Sequence, residues 1–158
     1  MVFDEIYNEY REKVYRLCMG YVNDHELARD LTQDTFIIVW EQLPKFRNES
    51  AISTWIFRIA SNSCLRQIEK QNRIRKSDLH AEIIDVKADN KEREVQLLYQ
   101  YISELPEIDR IIISLELEKV RQAEIANIVG LSEGNIRIRI YRIKEKLMQK
   151  FKKYEQQQ

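Results

Sequence analysis

Between positions 137 and 153, eight residues are lysine or arginine, against the single acid Glu145. Cations at that density suit phosphate, and arginine adds paired donors that fit the major-groove edge of guanine. What such a run can do depends on the element that carries it. Its start, Ile136-Arg137-Ile138-Arg139-Ile140, alternates like a half-buried strand. A strand would bring Ile136, Ile138 and Ile140 to one face, but the alternation fails after Tyr141. A helix brings Ile136, Ile140, Ile143 and Leu147 into one stripe, continuing to Phe151 or Met148. The helical pattern is the longer one, so a helix is expected. It leaves Arg137, Ile138, Tyr141, Arg142 and Glu145 on the other face. Ile138 is then the anomaly, an apolar β-branched side chain looking outward and within reach of a thymine methyl. Tyr141 can equally be a half-packed residue.

The elements before this helix complete a unit. Residues 122–129 form a short helix with Ile125, Ala126 and Val129 inward. Gly130 closes it in the left-handed conformation, and Ser132 supplies an N-cap oxygen for the next helix. A short helix, a glycine turn and a capped second helix make a helix-turn-helix, whose second helix fits a major groove. A plain helical hairpin with a solvated charged face is the competing reading. The density of basic residues beside a turn of the right length favours DNA.

The rest of the chain bounds the fold class. Its 158 residues suit one or two small domains, with 33% charged and 44% hydrophobic residues. Three glycines and two prolines argue against a turn-rich β-sandwich, and the abundance of Leu, Ile, Glu, Lys, Arg and Gln favours helices. The formal net charge is zero but unevenly spread. Residues 1–70 hold nine Lys/Arg against eleven Asp/Glu, and residues 95–158 hold eleven against nine. The start is acidic and amphipathic, unlike a signal peptide, and no apolar run approaches a membrane span. Cys18 and Cys64 lie far apart without a CxxC pattern and read as ordinary buried thiols. His25 and His80 read as surface residues.

Ile6, Tyr10, Val14, Leu17 and Tyr21 recur at helical spacing. Asn23 or Asp24 caps a second helix over 24–43, and Pro44 stops it. A turn segment with an exposed-looking Phe46 follows. Helix resumes with Trp55, Ile59, Cys64 (or Ser63) and Ile68 near one face. Residues 71–94 are polar with weak periodicity and read as a linker, with transient structure around 79–86. Periodicity returns at Val95, Leu98, Tyr101 or Ile102, and Leu105. Pro106 then breaks the chain before a helix over 107–117. The expected architecture is all-α: two small helical domains joined by a flexible linker, over 1–71, 72–93 and 94–155, the last a helix-turn-helix.

Two stretches carry a family resemblance. The segment DLTQDTF, then a Trp, then L-x-x-F-R, then TWIFRIASN, resembles the second region of the sigma-70 family. LPEIDRIIISLELEKVRQAEIANIVGLSEGNIRIRIYRIKEKL resembles the fourth. Their order, with a short linker and no first or third region, is similar to extracytoplasmic-function (ECF) sigma factors. The resemblance implies a cytoplasmic bacterial transcription-initiation subunit, not an enzyme, with no cofactor, metal or small-molecule substrate. It implies as partners core RNA polymerase, through its β′ coiled coil and β flap, and promoter DNA. It also implies an anti-sigma factor that buries the DNA-binding surfaces.

By the same resemblance, Asp30, Gln33, Asp34 and Phe36 grip the polymerase; an ordinary solvated face with Phe36 and Trp40 in the core is the competing reading, and Trp40 is assigned to the core. Phe46 and Asn62 form the pocket for an unpaired minus-ten base, with Lys45, Arg47 and Arg66 on the strand's phosphates. For Phe46 a loop residue pinned to the core is the competing reading, and Trp55 is read as packing. Arg137, Ile138, Tyr141 and Arg142 match minus-thirty-five contacts, and Glu133 and Asn135 can approach bases or phosphates. Members often carry Gly-Asp after the Phe-Arg pair, where this chain has Asn48-Glu49, and a small polar residue where it has Ile138. Both departures bear on promoter preference. The alternative is a helix-turn-helix regulator that acts without being a polymerase subunit.

Overall fold

The computed structural model describes residues 2–74 and 89–157, with side chains omitted for 68–74. Among these residues every regular element is a helix, and the chain divides into two compact units. The first holds α1 (Phe3–Val22), α2 (His25–Gln42), a 3-10 turn at Leu43–Lys45, and α3 (Ile52–Ile74). The second holds α4 (Asn90–Ser103), α5 (Glu107–Leu117), α6 (Gln122–Val129) and α7 (Glu133–Gln156). Most of the expected linker, including the stretch 79–86, lies outside the described residues. Of its ends, 72–74 belong to α3 and 90–93 to α4.

In the first unit α1, α2 and α3 pack on one another. The expected α1 stripe, Ile6, Tyr10, Val14, Leu17 and Tyr21, is wholly buried. The junction after α1 uses both candidate caps. Asn23 takes the left-handed conformation (φ 48°) and donates its N–H to Met19 O at 2.9 Å, closing α1. Asp24 accepts from the Leu27 N–H at 3.0 Å, opening α2. On α3 the expected inward face is displaced. Ile56, Phe57, Ala60 and Cys64 are buried, whereas Trp55 and Ile59 are only half-buried. Counting from Trp55 started the stripe one residue early; Phe57 is the aromatic that enters the core, edge-on to Tyr10 at 6.3 Å.

In the second unit, α5 is buried through the run Ile111–Leu115, which makes it the central helix. On α4, Leu97, Ile102 and the following Leu105 point inward, while Val95, expected inward, is 46% exposed. On α6, Ile128 rather than Val129 joins Ile125 and Ala126 in the core. Gly130 has φ 77° and donates to Ala126 O at 2.8 Å, and Ser132 Oγ accepts from the Asn135 N–H at 3.1 Å. The α7 stripe is Ile136, Ile140, Ile143 and Leu147. It ends on half-buried Phe151, edge-on to Tyr101 at 5.0 Å, and Met148 is exposed. Burying each of these side chains is worth roughly 1.5–3 kcal/mol. The helix penalty of an isoleucine is below about 0.7 kcal/mol. Four buried residues therefore outweigh the local strand preference of the Ile-Arg alternation.

Candidate nucleic-acid interface

The eight cations of residues 137–153 divide into two sets. Arg139 Nη1 lies 3.0 Å from Asp109 Oδ1 of α5, and its Nε donates to Asn135 Oδ1 at 2.7 Å. Lys144 Nζ sits 3.8 Å from Glu116 Oε1, and Lys150 bonds Glu104 while lying over the Tyr101 ring. These three flank the buried stripe and tie α7 to α4 and α5. Such partly exposed pairs each contribute at most about 1 kcal/mol. Their larger effect is to fix the helix and neutralise its sides. Arg137, Arg142, Lys146, Lys152 and Lys153 are exposed on the remaining surface.

Ile138 (53% exposed) and Tyr141 (68%) lie between Arg137 and Arg142. Tyr141 is thus a surface residue. Glu133 and Asn135 are exposed in the first turn, and the amide oxygen of Asn135 accepts from Arg139. Asn135 therefore keeps both Nδ2 donors and one Oδ1 lone pair for a base edge or a phosphate, with its amide oriented by Arg139. The Asn135–Arg139 pair is a local one, four positions apart, but the Asp109 partner that fixes Arg139 stands thirty positions away, where no spacing marks it.

The loop between α2 and α3 presents a second surface. Phe46 donates its N–H to Leu43 O at 3.1 Å. Its half-buried ring rests on that of Trp55, centroids 4.7 Å apart and tilted by 31°. Phe46 is therefore neither free in solvent nor sunk in the core, and Trp55 packs beneath it. Lys45 and Arg47 are exposed beside it, and Asn48 is left-handed at φ 57°. Asparagine tolerates that conformation almost as glycine does, so the turn is compatible with either residue. Trp55, Asn62 and Arg66 follow at steps of seven and four and so share one face of α3. They span about 16 Å along it at 1.5 Å per residue. Asn62 is exposed, and Arg66 donates to Ser63 Oγ at 3.3 Å. Arg66 also borders a groove of about 330 Å³ between α2 and α3, shared with Asp34 and Ile37. The candidate strand-binding and polymerase-binding residues thus meet at one groove.

The α2 surface differs from expectation in two residues. Asp30, Gln33 and Asp34 are exposed. Phe36, expected beside them, is 3% exposed and belongs to the core. Phe3 and Tyr7 of α1 cover its ring edge-on, at 6.5 and 5.1 Å. Trp40, expected in the core, is 63% exposed, and Ile37 is 55% exposed. The helical repeat carries Trp40 about 40° further round than Phe36, past the cover that α1 provides. The resulting strip, Asp30, Gln33, Asp34, Ile37 and Trp40, is acidic at one end and apolar at the other.

Cys18 and Cys64 are free and buried, with Sγ atoms 3.8 Å apart. Contact with the Cys18 thiol, then burial, raises the Cys64 thiol well above its ordinary range. His25 Nδ1 lies 2.6 Å from Tyr15 Oη, and His80 is outside the described residues. Among the described residues no cluster of three or more metal-ligating side chains occurs, and no helix is long and apolar enough to cross a membrane.

Residues 6–74 match the family Sigma-70 region 2, and residues 95–147 match Sigma-70, region 4. An ECF RNA polymerase sigma-E factor of Haemophilus influenzae is 30% identical over 94% of this chain and 86% of its own length. The ECF RNA polymerase sigma factor SigM of Bacillus subtilis is 28% identical over 93% of each chain. Among solved structures, the sigma factor RpoE of Bartonella quintana, in complex with the anti-sigma factor NepR, matches with a TM-score of 0.81 at 23% identity. It covers 95% of this chain and 96% of that one. CnrH, in complex with the cytosolic domain of CnrY, matches with a TM-score of 0.72 at 20% identity, covering 95% of this chain and 87% of that one. These two likenesses concern the fold. With both regions matched in order along one chain, and with relatives that align over most of their length, the protein belongs to the ECF sigma factors of the sigma-70 family, the alternative factors that direct promoter-specific transcription.

Proposed function

We propose that this chain joins core RNA polymerase through the α2 strip and addresses promoters with two different surfaces. The α7 face of Arg137, Ile138, Tyr141 and Arg142 lies in the major groove of the duplex minus-thirty-five element. Asn135 and Glu133 stand at its entry, where Nδ2 of Asn135 donates to a base or phosphate acceptor. The Phe46 ring offers a stacking platform for a minus-ten base drawn from the duplex, with Asn62 further along α3 to bond a base edge. Lys45, Arg47 and Arg66 hold the phosphates of the opened strand. On this reading the chain is a stoichiometric specificity subunit that performs no bond chemistry and works in the cytoplasm with the polymerase. An anti-sigma factor is a fitting partner, since the similarly folded RpoE of Bartonella quintana is in complex with the anti-sigma factor NepR.

The observation that carries the reading is the division of cations on α7. Three are neutralised against α4 and α5, and the outward set brackets two exposed apolar side chains. A regulator acting without the polymerase would leave the acidic and apolar strip of α2 without a task. Run-off transcription with core polymerase on a genomic promoter pool tests the proposal. A defined subset of transcripts that requires the chain is expected. Failure to bind core polymerase, or transcripts independent of upstream sequence, would overturn it.

A further inference from the structure

Two features on the outward face of α7 serve no purpose inside the fold. Gly130 is explained by its left-handed backbone, but Gly134 is helical and exposed, and a Cβ added there would meet nothing within 4 Å. The packing around it would accept alanine, and glycine weakens a helix. One turn on, Ile138 turns 53% of its surface to solvent, and Tyr141 beyond it turns 68%. Residues three and four apart are neighbours on a helix surface. Gly134, Ile138 and Tyr141 therefore make one strip: a gap, a stiff branched side chain and a ring. Arg137 and Arg142 stand on its flanks, both exposed.

An apolar strip between two cations, in the N-terminal half of a groove-entering helix, narrows what can sit on it. The arginines suit phosphates and base-edge acceptors. Between such acceptors the major groove offers one apolar group, the C5-methyl of thymine. Residues near the start of a recognition helix are the ones that meet base edges. The absent side chain at Gly134 lets a base edge approach the helix backbone beside Ile138, so that both the methyl and the Ile138 side chain lose water.

We propose that Gly134, Ile138 and Tyr141 form a thymine-methyl subsite, so that the protein demands a T·A pair at one position of its upstream promoter element. This rests on α7 being the duplex-reading helix. The test uses holoenzyme assembled from core polymerase and the full chain. It selects from two randomised upstream duplex libraries, one synthesised with dTTP and one with dUTP, which differ in that methyl alone. The wild-type holoenzyme should enrich thymine at one position and lose about fourfold of that preference in the uracil library, the worth of one buried methyl. Ile138→Ser should bind both libraries alike. Gly134→Ala should also lose the methyl preference while raising the melting temperature, opposite signs that a structural role for the glycine would not give. Arg142→Ala should weaken binding to both libraries. Upstream enrichment without any difference between the libraries would overturn the subsite and leave α7 as the reader. Retention of the methyl preference by Ile138→Ser or Gly134→Ala would do the same. An absence of upstream enrichment would overturn both.

Discussion

Arg139 sits 3.0 Å from Asp109, joining the helix that faces outward to the helix at the centre of its unit. A cation in the middle of a basic run is thereby removed from the outward-facing charge and ties α7 to α5. Asp109→Asn tests this division. The stability loss should stay below about 1 kcal/mol, since the pair is partly exposed. Released Arg139 becomes one more phosphate contact, so non-specific duplex binding should strengthen and its salt slope should steepen by about one. Promoter-specific transcription should fall. Arg142→Ala should instead cost about 1–3 kcal/mol on matched promoters if its contact is to a base. Anisotropy titrations across a salt series measure both, and an unchanged slope for Asp109→Asn would show that Arg139 stays off the DNA even when unpaired.

Phe36 and Trp40, one turn apart on α2, have exchanged the roles that sequence suggests. Phe36→Ala should unfold the first unit more readily, by about 3–5 kcal/mol for a buried aromatic. Urea titration followed by circular dichroism reads that loss. Trp40→Ala should leave the urea midpoint unchanged, because the ring is 63% exposed, and should weaken capture by core polymerase. If Trp40→Ala binds polymerase like the wild type, the apolar end of the α2 strip lies outside that interface.

Legibility in the sequence followed range. The second unit's helix-turn-helix was readable because its signals are local: Gly130 at the turn, Ser132 at the cap and the Ile136–Ile140–Ile143–Leu147 spacing are all decided within one or two turns. The fate of Phe36 was not, because its cover comes from Phe3 and Tyr7 on another helix. Arg139 with Asp109, and Lys150 with Glu104, pair across intervals that no periodicity encodes. The α3 stripe was misplaced by one residue for a related reason. Trp55 looks like a core aromatic until Phe46 is seen resting on it. On α7 the expected outward residues Arg137, Ile138, Arg142 and Glu145 are exposed and Tyr141, left open by the sequence, joins them, whereas Val95, near the start of α4, was placed inward and is exposed.

The buried Cys64 thiol makes stability depend on alkaline pH. Cys64, in contact with Cys18 and desolvated, holds its proton more firmly in the folded chain than an ordinary thiol does. Its contribution is fully present below the unfolded thiol's range, about pH 8.5. It declines as pH rises from there toward the higher folded value, because the unfolded chain then binds fewer protons. One such group gives a slope of up to about 1.4 kcal/mol per pH unit. Buried Tyr10 shifts in the same direction and adds to the decline at higher pH. Chemical denaturation at pH 7, 8, 9 and 10 should show the midpoint falling above pH 8.5. Cys64→Ala should be less stable at pH 7 yet flatter with pH, and an equal slope in both proteins would remove the thiol from the explanation.

On the proposed function, substituting Phe46 should separate promoter opening from promoter finding. Its ring rests on Trp55 and is half-buried, so part of it stays open to a stacked base. Base–aromatic stacking is worth about 1–3 kcal/mol. Phe46→Ala should therefore reduce open-complex formation by between about fivefold and about 150-fold, and leave upstream duplex affinity unchanged. The aromatic pair itself contributes about 0.5–1.5 kcal/mol beyond its burial, so a modest fall in stability is also expected. That fall cannot imitate the main effect. A promoter template with a pre-opened, mismatched minus-ten segment removes the cost of unpairing while leaving fold stability where it was. Permanganate reactivity of the unpaired thymines, followed on closed and pre-opened templates, distinguishes the two. Recovery of most transcription on the pre-opened template assigns Phe46 to melting. Equal deficits on both templates would mean that its ring serves to anchor the loop to α3 and that the unpaired base is caught elsewhere.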